Sequence, residues 1–350
     1  MNLINETIPL DEFINKALYQ DKMGYYMKKN PFGVQGDFIT SPNISILFSE
    51  ILSIWSIAFW KSINQPSKIN IIELGSGNGQ MIHDMINTFK NFPKFFKSCN
   101  FFILEKSPYL RKIQKRKLKN LKVQWIEDLD NIDNGINLFI ANEFFDALPI
   151  KQFFKIKNKW MERYVVNDNF GNSKFKNIET NISKIEKVLG FKISKNQKII
   201  EYSPLVLKYL KLISKKIKKT NGGLLIIDYG YLESRIKNTL AGVKSHKITN
   251  ILENFSDTDI THHLNFKILQ KIVNSLKLKC QGITTQRKFL IKLGIVDRAE
   301  IISKKMTFLK KADLYYRLKR LINKDQMGNL FKVMFVTNKK IDFKIGFNLD

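Results

Sequence analysis

The chain has 350 residues, 44% hydrophobic and 26% charged, a globular balance that excludes disorder and is long enough to bury a substantial core. Fifty-nine Lys and Arg against thirty-one Asp and Glu give a net charge of +28, a field that attracts nucleic acid, an anionic membrane or an acidic protein. Lys, Asn and Ile recur throughout, as AT-rich coding would produce, so charge alone names no partner. Cys99 and Cys280 stand far apart, which argues against a disulfide scaffold and a CxxC metal site. The opening MNLINETIPLDEF carries acids and lacks the apolar core of a signal peptide, so the expected setting is a bacterial cytoplasm.

Taken in order, residues 1–65 read as a helical extension with an active-site loop. A helix is expected from Pro9, a residue suited to a first helical position, burying Leu10, Phe13, Ile14, Ala17 and Leu18 and breaking at Gly24. Residues 24–42, GYYMKKNPFGVQGDFITSP, are dense in Gly, Pro and aromatics, the composition of an ordered, functional loop. Residues 44–60 place Leu47, Phe48, Ile51, Leu52 and Trp55 at helical spacing, with Ser45, Ser49, Ser53 and Ser56 on one stripe. The stretch is too short, and with Glu50 too polar, to cross a membrane.

From residue 66 to 150 short apolar runs alternate with amphipathic segments. Strands are expected at 69–74, 101–105, 122–126 and 136–142, with a fifth at 223–228, and helices near 79–92, 107–118 and 203–218. Near-continuous apolar strands alternating with helices predict a doubly wound, mostly parallel sheet covered on both faces. Residues 151–198 read as an insertion opening with a β-hairpin that turns at 157–159, its remainder from 167 polar and irregular. Residues 199–350 return to the core, with amphipathic helices from about 264 to 322 and a last strand at 330–336.

The sharpest local signal is IIELGSGNG, where a buried strand ends and a turn containing Gly75, Gly77 and Gly79 opens a helix, whose N-terminus favours negative charge. Dinucleotide enzymes show G-x-G-x-x-G; here the glycines run G-x-G-x-G with Glu73 two places before the first, which resembles an S-adenosylmethionine motif. Glu105 ends the next strand, where doubly wound folds place a carboxylate that can hold a vicinal diol. Asp128, beyond the third strand, is a candidate for the adenine amino group. ANEFFDALPIKQF then puts Asn142, Glu143 and Asp146 at the carboxyl edge of the sheet. Each residue has a plainer reading: Glu105 as a surface charge, Asn142 or Asp146 as a helix cap, Phe144, Phe145 and Leu148 as core.

The segments GYYMKKNPFGVQGDFITSPNIS, ELGSGNG, LEKSPYLRKIQ, ANEFFDALPIKQF, EYSP, LIIDYGY, DITHHLNF, FLIKLGIVDRA and MGNLFKVMFV, in this order and across almost the whole chain, resemble the MidA family of methyltransferases, which includes a mitochondrial complex I assembly factor. The resemblance implies an α/β, Rossmann-like class I methyltransferase fold, S-adenosyl-L-methionine as cofactor, and arginine in a protein substrate, such as a respiratory complex I subunit, as acceptor. Gly75, Gly77, Gly79 and Glu105 match the family's cofactor residues. Asn43 stands where the family typically has Glu, and GSGNG where relatives often have GPGRG.

Arginine is almost always protonated, so its methylation needs carboxylates that hold the guanidinium and take its proton. Glu143, Asp37 and Asp146 are the candidate catalytic residues, and His262 and His263 candidate proton carriers. The histidines and cysteines show no zinc spacing, and no metal is expected. Two other readings stay open: a non-catalytic assembly factor that keeps the cofactor, and an RNA methyltransferase. Neither a recognisable RNA-binding module nor an NPPY-type motif accompanies the charge, so nucleic acid is not the expected partner.

Overall fold

The computed structural model describes residues 7–28, 31, 40–132, 135–167, 173–244, 247–253 and 255–347. Its central eight-stranded sheet runs in the order Lys279–Thr285, Phe331–Thr337, Gly223–Tyr231, Ile136–Asn142, Ile69–Leu74, Cys99–Leu104 and Val123–Ile126, with the short strand Leu264–Asn265 paired to Gly223–Tyr231 beside this path. The last five on the path run parallel. Phe331–Thr337 is antiparallel to both its neighbours. All five strands expected from apolar runs are present, and two have the expected bounds, Ile69–Leu74 and Ile136–Asn142.

Strand geometry explains why both faces are covered. Side chains alternate, so Ile69 and Ile71 enter one core with Phe101, Ile103, Leu138 and Ile140. Ile72 and Leu74 enter the other with Phe102, Leu104, Phe139 and Ala141. The helices Ile46–Ser62 and Gln80–Phe89 close the first core, and Pro204–Thr220 and Phe266–Ser275 the second. The chain leaves Ile69–Leu74 toward one edge, then returns to its other side at Ile136–Asn142. That reversal opens a crevice above the carboxyl ends of these two strands, where ligands bind in open α/β sheets.

The first helix buries the five expected side chains but begins at Leu10 and ends at Tyr19. Pro9 instead closes a short strand, Thr7–Pro9, paired with Lys159–Asn167. Gly24 lies beyond the helix, packed so close that a Cβ would sit 2.6 Å from Leu18 O and Gln20 N. Two serines of the buried stripe on Ile46–Ser62 are satisfied locally, because Ser53 and Ser56 Oγ donate to the carbonyls four residues back, both at 2.7 Å, while Ser49 Oγ has no hydrogen-bond partner among the described residues. Trp55 is fully buried, its ring centroid 4.7 Å from that of Phe335 and 5.5 Å from that of Phe343. Trp55→Ala should therefore lower stability by about 3–5 kcal/mol. Chemical denaturation checks this, and a loss below about 1 kcal/mol would show that the aromatic cluster does not hold this face.

The expected hairpin is formed by Lys151–Ile156 and Lys159–Asn167, turning through Lys157 and Asn158 at φ 46° and 65°, the paired left-handed residues of a tight two-residue turn. From residue 173 the described chain is not irregular as expected. It holds the strand Ser173–Glu179 and the helix Ser183–Leu189. With Thr7–Pro9 and Ile199–Tyr202 the hairpin and this strand make a five-stranded antiparallel sheet. The strand escaped notice because most of its side chains are exposed and no apolar alternation marks it. Also unforeseen were Lys279–Thr285 and Leu264–Asn265, both inside the stretch expected to be helical, Ile199–Tyr202, and a three-stranded sheet within residues 241–261. No helix among the described residues is long and apolar enough to cross a membrane.

Candidate active site

At the end of Ile69–Leu74 the chain turns through Gly75, Gly77 and Gly79 at φ 68°, 52° and 79°, left-handed conformations that glycine adopts without strain. A Cβ on Gly75 would stand 2.7 Å from the Phe144 ring. Glu73 is buried beneath the turn and accepts Ser76 Oγ at 2.6 Å. Burial pushes its carboxyl up to about 8, against the lowering effect of Ser76. Asn78 Nδ2 donates to Asn43 Oδ1 at 2.9 Å, so the residue that departs from the family pattern braces the glycine turn.

Glu105 follows Cys99–Leu104 and is 8% exposed. Its Oε1 accepts Ser107 N at 2.9 Å and its Oε2 accepts Gln114 Nε2 at 2.9 Å. The same Gln114 nitrogen donates to Gly77 O at 2.8 Å, and Gln114 Oε1 accepts Trp125 Nε1 at 2.9 Å. One buried amide thus locks the glycine turn to the following carboxylate. Sequence reasoning missed Gln114, since it lies in the polar helix Pro108–Lys117 and no motif marks it.

Beyond Ile136–Asn142 the backbone makes a sharp corner. Glu143 adopts φ 51°, a conformation costly for a residue with a side chain, and its N–H donates to Ile227 O at 2.9 Å. Glu143 Oε1 accepts Ser41 N and Asn142 Nδ2, each at 3.2 Å. Burial, and then the Asp146 charge, push Glu143 up to about 8. Asp146 accepts Thr261 Oγ1 through Oδ2 at 3.1 Å, while its buried Oδ1 has no hydrogen-bond partner among the described residues. Burial raises Asp146 to about 6. Asn142 Oδ1 is likewise buried and unpartnered among the described residues.

Asp228, fully buried, fixes this corner by accepting Phe145 N at 3.0 Å, Asp146 N at 3.3 Å and its neighbour Tyr229 N at 2.9 Å. Burial and the nearby Asp146 and Glu143 charges hold it well above the usual carboxylate range. No role was assigned to it from sequence, although an acid ending an apolar strand, as Glu73 and Glu105 do, was a usable signal.

These groups meet at a cavity of about 530 Å³ at the sheet's carboxyl edge, lined by Gly75, Gly77, Glu105, Glu143 and Asp146. Tyr19, Tyr26, Phe144, Tyr209 and Tyr229 supply aromatic walls. Glu127 and Asp259 bring the lining carboxylates to five, against Lys106 and Lys208. A protein of charge +28 thus keeps an acidic chamber at its functional edge. Asp128 does not itself line the cavity: it is exposed and accepts Asp130 N at 3.2 Å, capping a short 3-10 helix, while its neighbour Glu127 does line it. His262 is buried outside the cavity wall, its Nε2 at 3.2 Å from Leu148 O, and burial lowers it to about 4. It is neutral at physiological pH, as a packing group is. His263 does line the cavity, stacked on Tyr229. Asp37 lies outside the described residues.

A parallel sheet completed by an antiparallel strand, with a glycine turn and a next-strand carboxylate at its switch point, defines the class I methyltransferase architecture. The chain belongs to a family of S-adenosyl-L-methionine-dependent methyltransferases, which matches residues 51–284. It is 30% identical to the mitochondrial protein arginine methyltransferase NDUFAF7 of Xenopus tropicalis, over 94% of this chain and 82% of that one. Against NDUFAF7 of Homo sapiens the identity is 27%, covering 93% and 78%. A Burkholderia thailandensis protein crystallised with S-adenosyl-homocysteine superposes with a TM-score of 0.82 at 21% identity, covering 98% of this chain and 89% of that one. The protein is therefore an S-adenosylmethionine-dependent methyltransferase, and the MidA resemblance read from its motifs holds.

Proposed function

We propose that the protein methylates an arginine in a protein substrate. The observation that carries this reading is the buried, incompletely paired carboxylate cluster of Glu143 and Asp146 on the wall of an aromatic, acidic cavity. Buried carboxylates call for a cation to pair with, and a guanidinium satisfies them with directed, two-pronged hydrogen bonds. The naming of the relatives as arginine methyltransferases supports the same acceptor. Five lining carboxylates oppose the polyanionic backbone of RNA, which disfavours the alternative acceptor. A respiratory complex I subunit is the first substrate to examine.

The residues present fit the cofactor. The turn at Gly75, Gly77 and Gly79 leaves backbone accessible beside a helix start, Glu105 stands one strand on with its carboxylate oriented by Gln114, and the orphaned Asn142 Oδ1 offers a buried acceptor. S-adenosylmethionine supplies an activated methyl group on a sulfonium. The chain's own part is to orient and desolvate the acceptor nitrogen and to take its proton. In this reading Glu143, held by Ser41 and Asn142, accepts that proton. Asp146 keeps the guanidinium in place, and Glu73 supports the turn from below without needing to touch cofactor.

Glu105→Ala should weaken binding of S-adenosylhomocysteine by about 1–3 kcal/mol, through lost hydrogen bonds to a charged group. Calorimetry that gives an unchanged affinity would remove Glu105 from the cofactor site. The raised carboxyls also set a pH profile. Asp146 ionises first, near 6, and Glu143 near 8, so kcat/KM should climb as pH rises and level off above about 8. A profile flat between about pH 6 and 9 would contradict the role given to Glu143. The acceptor itself is tested by transfer of tritiated methyl to a cell extract: label released as methylarginine on acid hydrolysis supports the reading, and ribonuclease-sensitive label overturns it.

A further inference from the structure

The turn after the helix Ile295–Ser303 and the first turn of the helix Phe308–Ile322 together read KKMTFLKK over residues 304–311. Every residue from 304 to 313 is exposed. Phe308 and Leu309 are 83% and 79% exposed, and Ile301 and Tyr316 on the flanking helices 59% and 65%. Single exposed apolar residues are ordinary, but adjacent large ones at the tip of a helical turn point to a partner surface. Lys304 and Lys305 precede this apolar tip, and Lys310 and Lys311 follow it.

We infer that the tip docks on a bilayer containing anionic lipid, Phe308 and Leu309 entering the interface while the four lysines meet headgroups. Apolar side chains ringed by long cationic ones are the pattern of a segment that lies in the plane of a membrane surface. A second copy of the chain fits worse, because symmetric contact would face eight lysines at one another in a protein already at +28. Nucleic acid would engage the lysines and leave the apolar pair in water.

The geometry ties this tip to the active site. Arg317, on the same helix as Phe308, donates through Nη1 to Ile44 O at 3.1 Å. Ile44 ends the helix Ser41–Ile44, whose Asn43 holds Asn78 of the glycine turn. Docking the tip therefore holds the glycine turn at a fixed orientation to the membrane, whatever the acceptor.

Flotation with vesicles of phosphatidylcholine alone, or with phosphatidylglycerol added, tests this on the full chain. The wild type should float with the mixed vesicles, release in high salt, and stay unbound with phosphatidylcholine alone. Phe308→Ser with Leu309→Ser should reduce bound protein about tenfold or more. Replacing the four lysines by Gln should do the same. All these side chains are exposed, so circular dichroism and S-adenosylhomocysteine binding should match wild type. A wild type that stays with neither vesicle overturns the inference, as does a serine variant that floats equally well. Concentration-dependent dimerisation lost in the serine variant would assign the tip to a second copy and overturn it too.

Discussion

Glu143→Gln is expected to lower methyl transfer about a hundredfold or more while S-adenosylmethionine affinity stays within about threefold. The substitution keeps the length of the side chain and the oxygen that accepts Ser41 N at 3.2 Å, so the corner at φ 51° can persist. What disappears is the negative charge and the capacity to take a proton. Because the carboxyl is raised to about 8 by burial and by Asp146, its basicity is well matched to a proton released near neutral pH. Single-turnover transfer measured beside calorimetric cofactor affinity separates the two effects. A parallel fall in both would mean that Glu143 supports the cofactor pocket; no change in turnover would remove it from the mechanism.

Gly77→Val should abolish measurable cofactor binding, with affinity reduced at least about a hundredfold. At φ 52° a branched side chain costs on the order of 1–3 kcal/mol in backbone strain. Gly77 also lines the cavity, and its carbonyl accepts Gln114 Nε2 at 2.8 Å, so a shift of the turn is passed to Glu105. The strain is local and the strand below is fully buried, so the fold should survive with a lowered melting temperature. A folded variant that binds S-adenosylhomocysteine like wild type would place the cofactor elsewhere.

The parallel core was legible because its strands are buried on both faces and read as apolar runs between amphipathic helices. The glycine turn and Glu105 were legible because their spacing reflects a backbone requirement. Three kinds of feature were not. Ser173–Glu179 is mostly exposed, and the edge strand Lys279–Thr285 is mostly part-exposed and interrupted by a shift between Cys280 and Gly282, so neither carries strong periodicity. Gln114 acts through burial in an otherwise polar helix, which no local pattern announces. Asp128 and His262 were marked by residue type and neighbourhood alone, and in the fold one caps a turn while the other packs against Leu148. The carboxylate cluster was half visible: Glu143 and Asp146 follow one strand, but Asp228, which holds the backbone at Phe145 and Asp146, arrives from the neighbouring strand 82 residues beyond Asp146.

Methylation of protein arginine in the acidic chamber is tested by comparing methylarginine peptides by mass spectrometry in cells producing the wild type or Glu143→Gln. One or a few arginine sites should lose their methyl groups in the variant while its abundance and cofactor binding are maintained. An unchanged set of methylarginine sites in a cell where the wild-type protein is active would contradict it.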